Sequence, residues 1–204
     1  MQADPSIFKA YDIRGIYPRQ IDGDGAYAIG RAYAILLCQL AQPSSLRVAV
    51  GGDMRLSTPE LKTRLIEGLL DGGLHVDDIG LVSTPTFYFG VASYGYDGGI
   101  QVSASHNPKE WNGFKMVREH AIPISMETGI REIHDMVTSQ SVPNIDSAIL
   151  RGTLSVVENI LQDQVESQMK ETSITTTIKP FKIAIDTANG MGAPEMKELF
   201  SKLP

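Results

Sequence analysis

The chain has 204 residues, enough for one complete domain and part of another, and 42% of them are hydrophobic, which predicts an ordered globular protein. No apolar run is long enough to span a membrane and residues 1–6 carry no signal-peptide pattern, so we expect a cytoplasmic protein without a membrane partner. The formal charge of −6 disfavours nucleic acid as a partner, because a phosphate backbone needs a dense basic surface. The single cysteine, Cys38, lies in an apolar stretch and is predicted to be a buried structural thiol.

Helices and strands alternate in the first half of the sequence. Asp22 or Asp24 caps the first helix, and a threonine cap followed by proline marks the next two helix starts. The predicted elements are, in order, a helix over about 25–41, a strand over 46–50, a helix from Thr58 to Gly72, a strand over about 75–82, a helix from Thr84 to Gly95 and a strand over 98–102. Because repeated strand, helix, strand units build parallel sheets, we predict an α/β fold: a doubly wound, mostly parallel sheet with helices on both faces.

The second half of the sequence predicts one completed domain and the start of another. A strand over 114–117 and a helix capped by Ser125 are followed by a linker, rich in Ser, Asn, Pro and Gly, over 138–154. The elements predicted beyond it are a helix near 155–171, a threonine-rich turn at 175–177, a strand over 182–186 and a helix from about 193. These are too few to bury a core. We therefore predict a first domain over 1–152 and the truncated start of a second, similar domain over 153–204.

A serine at the end of a predicted strand is the strongest functional signal. Residues 102–108 read Val-Ser-Ala-Ser-His-Asn-Pro, so Ser105 lies just past the carboxyl end of the strand over 98–102. Open α/β sheets bind ligands at that edge. A hydroxyl there, followed by an imidazole, an amide and a proline that fixes the turn, is placed like a nucleophile. Basic residues near the motifs predict a pocket for a small anionic substrate: Lys9, Arg14, Arg55, Lys109, Lys115 and Arg118.

Residues 102–108, with the Asn-Gly-Phe-Lys run at 112–115, resemble the phosphoserine loop of the α-D-phosphohexomutases. Residues 8–15, which contain Tyr-Asp-Ile-Arg-Gly, resemble the N-terminal motif of the phosphomannomutase/phosphoglucomutase branch. Residues 51–57 are similar to the family's second motif, although Gly52 often corresponds to arginine there and Met54 to glycine. Residues 186–190 resemble the opening of the family's second domain. The resemblance therefore covers the whole chain.

The resemblance implies a reaction that interconverts hexose 1-phosphate and hexose 6-phosphate. Ser105 carries a phosphoryl group, donates it to the free hydroxyl of the hexose phosphate, and recovers the other phosphate from the hexose 1,6-bisphosphate intermediate. By the same resemblance, His106 and Asn107 position the phosphoserine, and Lys115 is a general acid/base or a cation on the transferring group. Tyr11 and Arg14, together with Asn107, bind the phosphosugar. Such transfer depends on positioning and charge neutralisation, so cations are expected around Ser105.

The resemblance also implies Mg²⁺ bound to Ser105 and to three aspartates of a second-domain loop. The Asp-Gly-Asp-Gly-Asp-Arg run of that loop does not occur in this sequence. Asp22-Gly23-Asp24-Gly25 has a superficial likeness, but it precedes a helix and is read as a turn and helix cap. We therefore expect this chain alone to lack turnover.

Several alternatives stay open at the level of sequence. A Ser-His pair is often a turn motif, Arg14 can simply pair with Asp12, and Lys115 can point to solvent. Arg55 and Asp53 are interpreted as a brace of the loop. A serine hydrolase is disfavoured because the Gly-x-Ser-x-Gly elbow is absent. A non-catalytic sugar-phosphate-binding fragment and a phosphoglucosamine mutase remain alternatives, and the preference between mannose and glucose stays open.

Overall fold

The computed structural model describes residues 4–40, 45–139, 142, 151–172, 179 and 181–203. In chain order the elements are β1 (Ile13–Ile16), α1 (Gly23–Leu40), β2 (Arg47–Gly52), α2 (Thr58–Asp71), β3 (His75–Leu81), α3 (Thr84–Ser93), β4 (Gly98–Val102), β5 (Trp111–Arg118), β6 (Ile122–Pro123), α4 (Arg131–Thr138), β7 (Leu154–Val156), α5 (Ile160–Glu171) and α6 (Gly192–Lys202). None of the helices in these ranges has the length and apolar character needed to cross a bilayer.

The sheet is parallel at its centre and antiparallel at one side. Its strand order is β1-β5-β4-β2-β3-β7, with β6 paired to β5. The strands β4, β2, β3 and β7 run parallel, whereas β5 is antiparallel to β4, to β1 and to β6. The predicted α/β fold is confirmed, and the antiparallel side is the feature that the sequence pattern did not reveal.

The direction of β5 follows from the length of the connection before it. Only residues 103–110 separate β4 from β5. A parallel crossover needs a dozen or more residues, so the chain must turn back and pair antiparallel. Residue 113 of β5 then meets β1, where a Cβ at Gly113 would lie 1.9 Å from the carbonyl oxygen of Ile13. Glycine at this position therefore permits the close approach of β1.

Helices cover both faces of the sheet, as predicted for a doubly wound fold. On one face, α1, α2 and α4 pack against the sheet through buried residues that include Tyr33, Leu65 and Ile133. On the other face, Phe87 and Val91 of α3 and the start of α5 cover a second core. The predicted cap is present at α1, whereas α3 is capped by Ser83, whose Oγ accepts from the N–H of Thr86 at 3.2 Å, rather than by Thr84. The N–H of Gly25 donates to Asp22 Oδ1 at 2.9 Å, which confirms the turn and cap read at residues 22–25.

The helix expected near 155–171 begins later than predicted. Residues 154–156 form β7, which pairs with β3, and α5 starts at Ile160. The apolar and β-branched side chains of this stretch suit an edge strand, and β3 offers it a free edge. Strand β7 thus extends the first sheet, within the range assigned to the second domain. The domain division itself stays a prediction.

Three further expectations can be compared with the described residues. Residues 181–187 form no strand, which corrects the strand predicted over 182–186; no described strand pairs with them, and a strand needs a partner for its main-chain groups. Cys38 is exposed rather than buried, because it lies on the outer side of α1. The helix predicted from about 193 is confirmed as α6. Most of the 138–154 linker and the threonine-rich turn lie outside the described residues.

Candidate active site

Ser105 lies three residues beyond the end of β4, with its side chain exposed. Its φ of 55° is in the left-handed region, which is uncommon for a residue with a side chain. The N–H of Ser105 donates to Ser103 Oγ at 3.0 Å, so a local hydrogen bond supports the turn. The strand end predicted from the sequence therefore presents the hydroxyl at the sheet edge.

His106 is the side chain that contacts the hydroxyl. Its Nδ1 lies 3.2 Å from Ser105 Oγ, and both residues are exposed. A neutral Nδ1 accepts the hydroxyl proton, whereas a protonated ring donates to the oxygen. The N–H of Asn107 donates to Ala104 O at 3.0 Å and closes the turn around the serine. Ser105 and His106 are thus paired, and Asn107 is adjacent to them.

Arg55 holds the loop that carries Ser105. Its Nη2 donates to Ser105 O at 2.9 Å and to Asn107 O at 2.6 Å. Its Nη1 donates to Pro108 O at 2.7 Å and to Trp111 O at 2.9 Å. Every one of these four acceptors is a main-chain carbonyl of residues 105–111. The brace that the sequence assigned to Arg55 is present, and its extent was not foreseen.

Asp53 and a small polar network anchor Arg55 to the fold. Asp53 Oδ2 accepts from Arg55 Nε at 3.2 Å, and Asp53 Oδ1 accepts from Arg55 N at 3.1 Å and from Thr58 Oγ1 at 2.9 Å. The buried Asn112 donates through Nδ2 to Thr58 Oγ1 at 3.0 Å and to Ser57 Oγ at 2.8 Å. Thr58 therefore does not cap α2 as predicted, because its hydroxyl links β2, α2 and β5.

An open cavity of about 780 Å³ lies in front of Ser105. Its lining comprises residues 53–55, 83–85 and 188–191 together with Gln101, Ser103, Ser105, His106, Asn107 and Lys109. Residues 188–191 precede α6, so a segment remote in sequence faces the serine across the cavity. A turn lies at Asn189-Gly190, with Asn189 at a φ of 60°. The resemblance at 186–190 was the one sequence signal for this segment.

Arg14 reaches the serine loop and also pairs with Asp12. Its Nη1 donates to Ala104 O at 3.3 Å, while Nε and Nη2 each contact Asp12 Oδ2 at 2.8 Å. The simple pairing with Asp12 is therefore present, and the binding of the phosphosugar by Arg14 stays a prediction. Tyr11 is 65% exposed and does not line the cavity.

Lys115 lies on β5 directly opposite Gln101 of β4. It is partly exposed and is not part of the cavity lining. Side chains opposite each other on neighbouring strands share a face of the sheet. Lys115 therefore lies on the same face as Gln101, which does line the cavity.

The described residues do not form a metal centre. Among them, no three His, Cys, Asp or Glu side chains are arranged to hold an ion. Ser105 Oγ is a single hydroxyl ligand, and Mg²⁺ generally keeps its water shell unless carboxylates or phosphates replace part of it. The side chains in this part of the chain therefore do not by themselves fit the predicted Mg²⁺.

Residues 5–143 match the family model described as phosphoglucomutase/phosphomannomutase, alpha/beta/alpha domain I. The chain belongs to the phosphoglucomutase/phosphomannomutase family. The predicted resemblance is thereby confirmed. The cavity residues over 53–109, Ser105 among them, lie within the matched range, whereas residues 188–191 lie beyond it.

Relatives of this family agree with the match. An Escherichia coli phosphomannomutase is 41% identical over 194 residues, which cover 95% of this chain and 41% of that protein. A Klebsiella pneumoniae phosphomannomutase is 45% identical over 161 residues, covering 79% of this chain and 98% of that protein. A solved structure from Burkholderia thailandensis, a phosphoglucomutase/phosphomannomutase family protein, has a TM-score of 0.75 and 33% identity over 98% of this chain and 42% of its own. The chain thus spans about two fifths of the length of the Escherichia coli relative.

Proposed function

We propose that this chain supplies the phosphoserine part of a phosphohexomutase, which interconverts hexose 1-phosphate and hexose 6-phosphate. The observation that carries the proposal is the exposed Ser105 hydroxyl at the end of β4, beside His106 and in front of an open cavity. The family membership and the phosphomannomutase names of the relatives support the reaction class.

In the proposed reaction the phosphoryl group moves from Ser105 to the sugar and back. The free sugar hydroxyl attacks phosphorus, the bond from phosphorus to Ser105 Oγ breaks, and a hexose 1,6-bisphosphate forms. After the intermediate reorients, Ser105 Oγ attacks the other phosphate and the isomerised monophosphate leaves. In the first transfer the sugar hydroxyl gives its proton to a base and the departing Ser105 oxygen takes up a proton; in the second transfer the Ser105 hydroxyl loses a proton and the departing sugar oxygen gains one. Lys115 is assigned as the general acid/base, or as a cation on the transferring group.

The remaining assignments follow the residue positions. His106, 3.2 Å from Ser105 Oγ, is suited to orient the oxygen. Asn107 lies at the cavity wall and contributes to substrate binding. Arg14, whose Nη1 reaches Ala104 O, and the exposed Tyr11 are assigned to the phosphosugar. This assignment requires Arg14 to exchange part of its pairing with Asp12.

Mg²⁺ and hexose 1,6-bisphosphate stay part of the proposal through the family resemblance. A phosphoryl group on Ser105 would add oxygen ligands, and a bound Mg²⁺ would neutralise charge on the group being transferred. Because the described residues do not complete a Mg²⁺ site, each step of the proposed phosphoryl transfer is assigned to residues of this chain.

A chimera tests the proposed function. This chain replaces the matching part of the Escherichia coli phosphomannomutase, and conversion of mannose 1-phosphate to mannose 6-phosphate is measured with a coupled assay. We expect turnover that Ser105→Ala abolishes and that Ser93→Ala, at an exposed serine at the end of α3, leaves unchanged. Turnover that survives Ser105→Ala would contradict the proposal.

A second candidate is a non-catalytic module that binds sugar phosphates. The chain spans 41% of its Escherichia coli relative, and its described residues form no metal centre. Calorimetric titration of the 204-residue chain with mannose 1-phosphate separates the two. Binding together with an inactive chimera favours the module.

A further inference from the structure

Arg55 uses its whole hydrogen-bonding capacity inside the protein. A guanidinium group has five N–H donors. One of them meets Asp53 Oδ2 and the other four meet the carbonyl oxygens of Ser105, Asn107, Pro108 and Trp111. Although Arg55 lines the cavity, none of its donors is left over for a phosphate in this arrangement.

The carbonyl oxygens converge on Arg55 because the loop wraps around its guanidinium group. The side chain of Arg55 is only 13% exposed, and that of Asp53 is 12% exposed. A cation in such surroundings strengthens hydrogen bonds to carbonyl oxygens, since little water screens them. The positive charge of Arg55 is balanced by the Asp53 carboxylate and by the dipoles of the four carbonyl groups. The surroundings of Arg55 therefore suit binding of the main chain of the loop.

The same contacts connect the loop to the rigid part of the sheet. Asp53 follows β2 directly and its N–H donates to Val102 O, the last residue of β4, at 3.0 Å. Thr58 fixes the carboxylate from the start of α2. The left-handed Ser105 is therefore held from both sides: Ser103 Oγ bonds its N–H and Arg55 bonds its carbonyl oxygen.

We propose that Arg55 is a positioning residue that fixes the conformation of the loop over 105–111, and with it the direction of the Ser105 hydroxyl, without binding substrate. The proposal deepens the proposed function and rests on it in one respect: that the loop presents Ser105 for phosphoryl transfer. The effect of Arg55 on the conformation of this loop can be tested independently of any activity.

Lysine is the informative substitution at this position. Arg55→Lys keeps the positive charge beside Asp53, but an ammonium has three donors and lacks the planar fork, so it cannot serve five acceptors. Arg55→Ala removes both charge and donors and leaves space that a free guanidinium ion fits. Arg64→Lys is the matched control, because Arg64 lies on α2 and pairs with Asp24 and Glu67 away from the cavity.

The test is amide hydrogen exchange measured by NMR on the 204-residue chain. The N–H groups of Ser105, Asn107 and Trp111 donate to acceptors within residues 103–111 and therefore report on the loop. We expect Arg55→Lys to accelerate their exchange by about tenfold or more, while amides of β2 and β4 change less than about twofold. In Arg55→Ala, millimolar guanidinium is expected to restore protection, and methylammonium is not.

Two outcomes overturn the proposal: loop exchange in Arg55→Lys equal to that of the unchanged chain, or acceleration spread equally over β2 and β4, which means general loss of stability. If Arg55→Lys accelerates exchange of the loop amides as expected but the Ser105→Ala chimera keeps its turnover, the proposed function fails and the positioning role of Arg55 stands.

Discussion

At the scale of single residues, the proposed chemistry depends on one hydroxyl. Ser105 is exposed and contacts His106, whereas Ser103, two residues earlier, uses its oxygen to accept the N–H of Ser105. Two serines of one turn thus have different surroundings: Ser105 is the proposed reactive residue, and Ser103 supports the turn. The difference comes from the left-handed backbone at Ser105, which turns its side chain outward.

The first prediction concerns this hydroxyl. Ser105→Ala in the chimera should lower phosphoryl transfer by several orders of magnitude, because the other hydroxyl of the turn is already committed. Tryptic mass spectrometry of the active protein should place phosphate on Ser105. Phosphate found on Ser103 or Ser57 instead would contradict the assignment.

A second prediction at this scale concerns Lys115. If its ammonium interacts chiefly with the transition state, Lys115→Met should lower kcat more than it raises KM. Steady-state kinetics of the chimera with mannose 1-phosphate measure both constants. A raised KM with unchanged kcat would reassign Lys115 to ground-state binding of substrate.

At the scale of elements, the antiparallel pair of β1 and β5 brings Arg14 to the serine loop. Arg14 lies opposite Gly113, and its Nη1 reaches Ala104 O. The short return from β4 forces β5 to run backwards, and β1 adds to the outer edge of β5. Two sequence motifs that are about 90 residues apart are joined by this pairing.

Gly113→Ala tests that close approach. A methyl group 1.9 Å from the carbonyl oxygen of Ile13 forces β1 away, so we expect a loss of about 2–3 kcal/mol in the free energy of unfolding, measured by urea titration. Gly95→Ala is the control: its Cβ meets nothing within 4 Å, so it reports only the cost of a left-handed residue, about 1–2 kcal/mol. Equal losses in the two variants would argue against the steric explanation.

The packing of α1 on the sheet predicts a dependence on alkaline pH. Tyr33 is fully buried and its hydroxyl donates to Val117 O at 2.7 Å; burial raises the pKa of this phenol far above its ordinary value. Unfolded tyrosine ionises near pH 10, so stability is fully present below that pH and is lost as the pH rises further.

Tyr33→Phe should cost about 1 kcal/mol at pH 7, because Val117 O loses its donor. Above pH 10 the variant's free energy of unfolding should fall less steeply than that of the unchanged protein, by up to about 1.4 kcal/mol per pH unit. Urea titrations between pH 7 and 11.5 measure both effects, with Tyr88→Phe, at a partly exposed position of α3, as the control. Parallel pH curves for Tyr33→Phe and the unchanged protein would refute the argument.

At the scale of the whole molecule, the serine loop faces residues from the far end of the chain. Residues 188–191 line the same cavity as Ser105, and α6 packs next to α5 with Lys202 Nζ 2.8 Å from Glu166 Oε1. The cavity therefore combines elements of both predicted domains, and its described residues still do not complete a metal site.

The 204-residue chain alone should show no turnover of mannose 1-phosphate and negligible Mg²⁺ affinity. A lone serine hydroxyl does not displace water from Mg²⁺, and the described residues form no metal site that would help to neutralise charge on the transferring group. A coupled assay and a Mg²⁺ titration of the purified chain measure these quantities. Turnover that Ser105→Ala abolishes would show that the chain needs no further loops.

The sequence by itself determined the α/β class, the order of most elements and the position of Ser105 at a strand end, because caps, periodicity and turn residues act over a few neighbours. It did not determine the start of α5, the absence of a strand over 182–186 or the exposure of Cys38. These features depend on which strand or helix of the same chain packs next to the segment. Only the tertiary structure decided that Arg55 donates hydrogen bonds to four carbonyl oxygens and that residues 188–191 line the same cavity as Ser105. Such contacts join residues about 50 or more positions apart, and the sheet alone brings those residues into hydrogen-bonding distance.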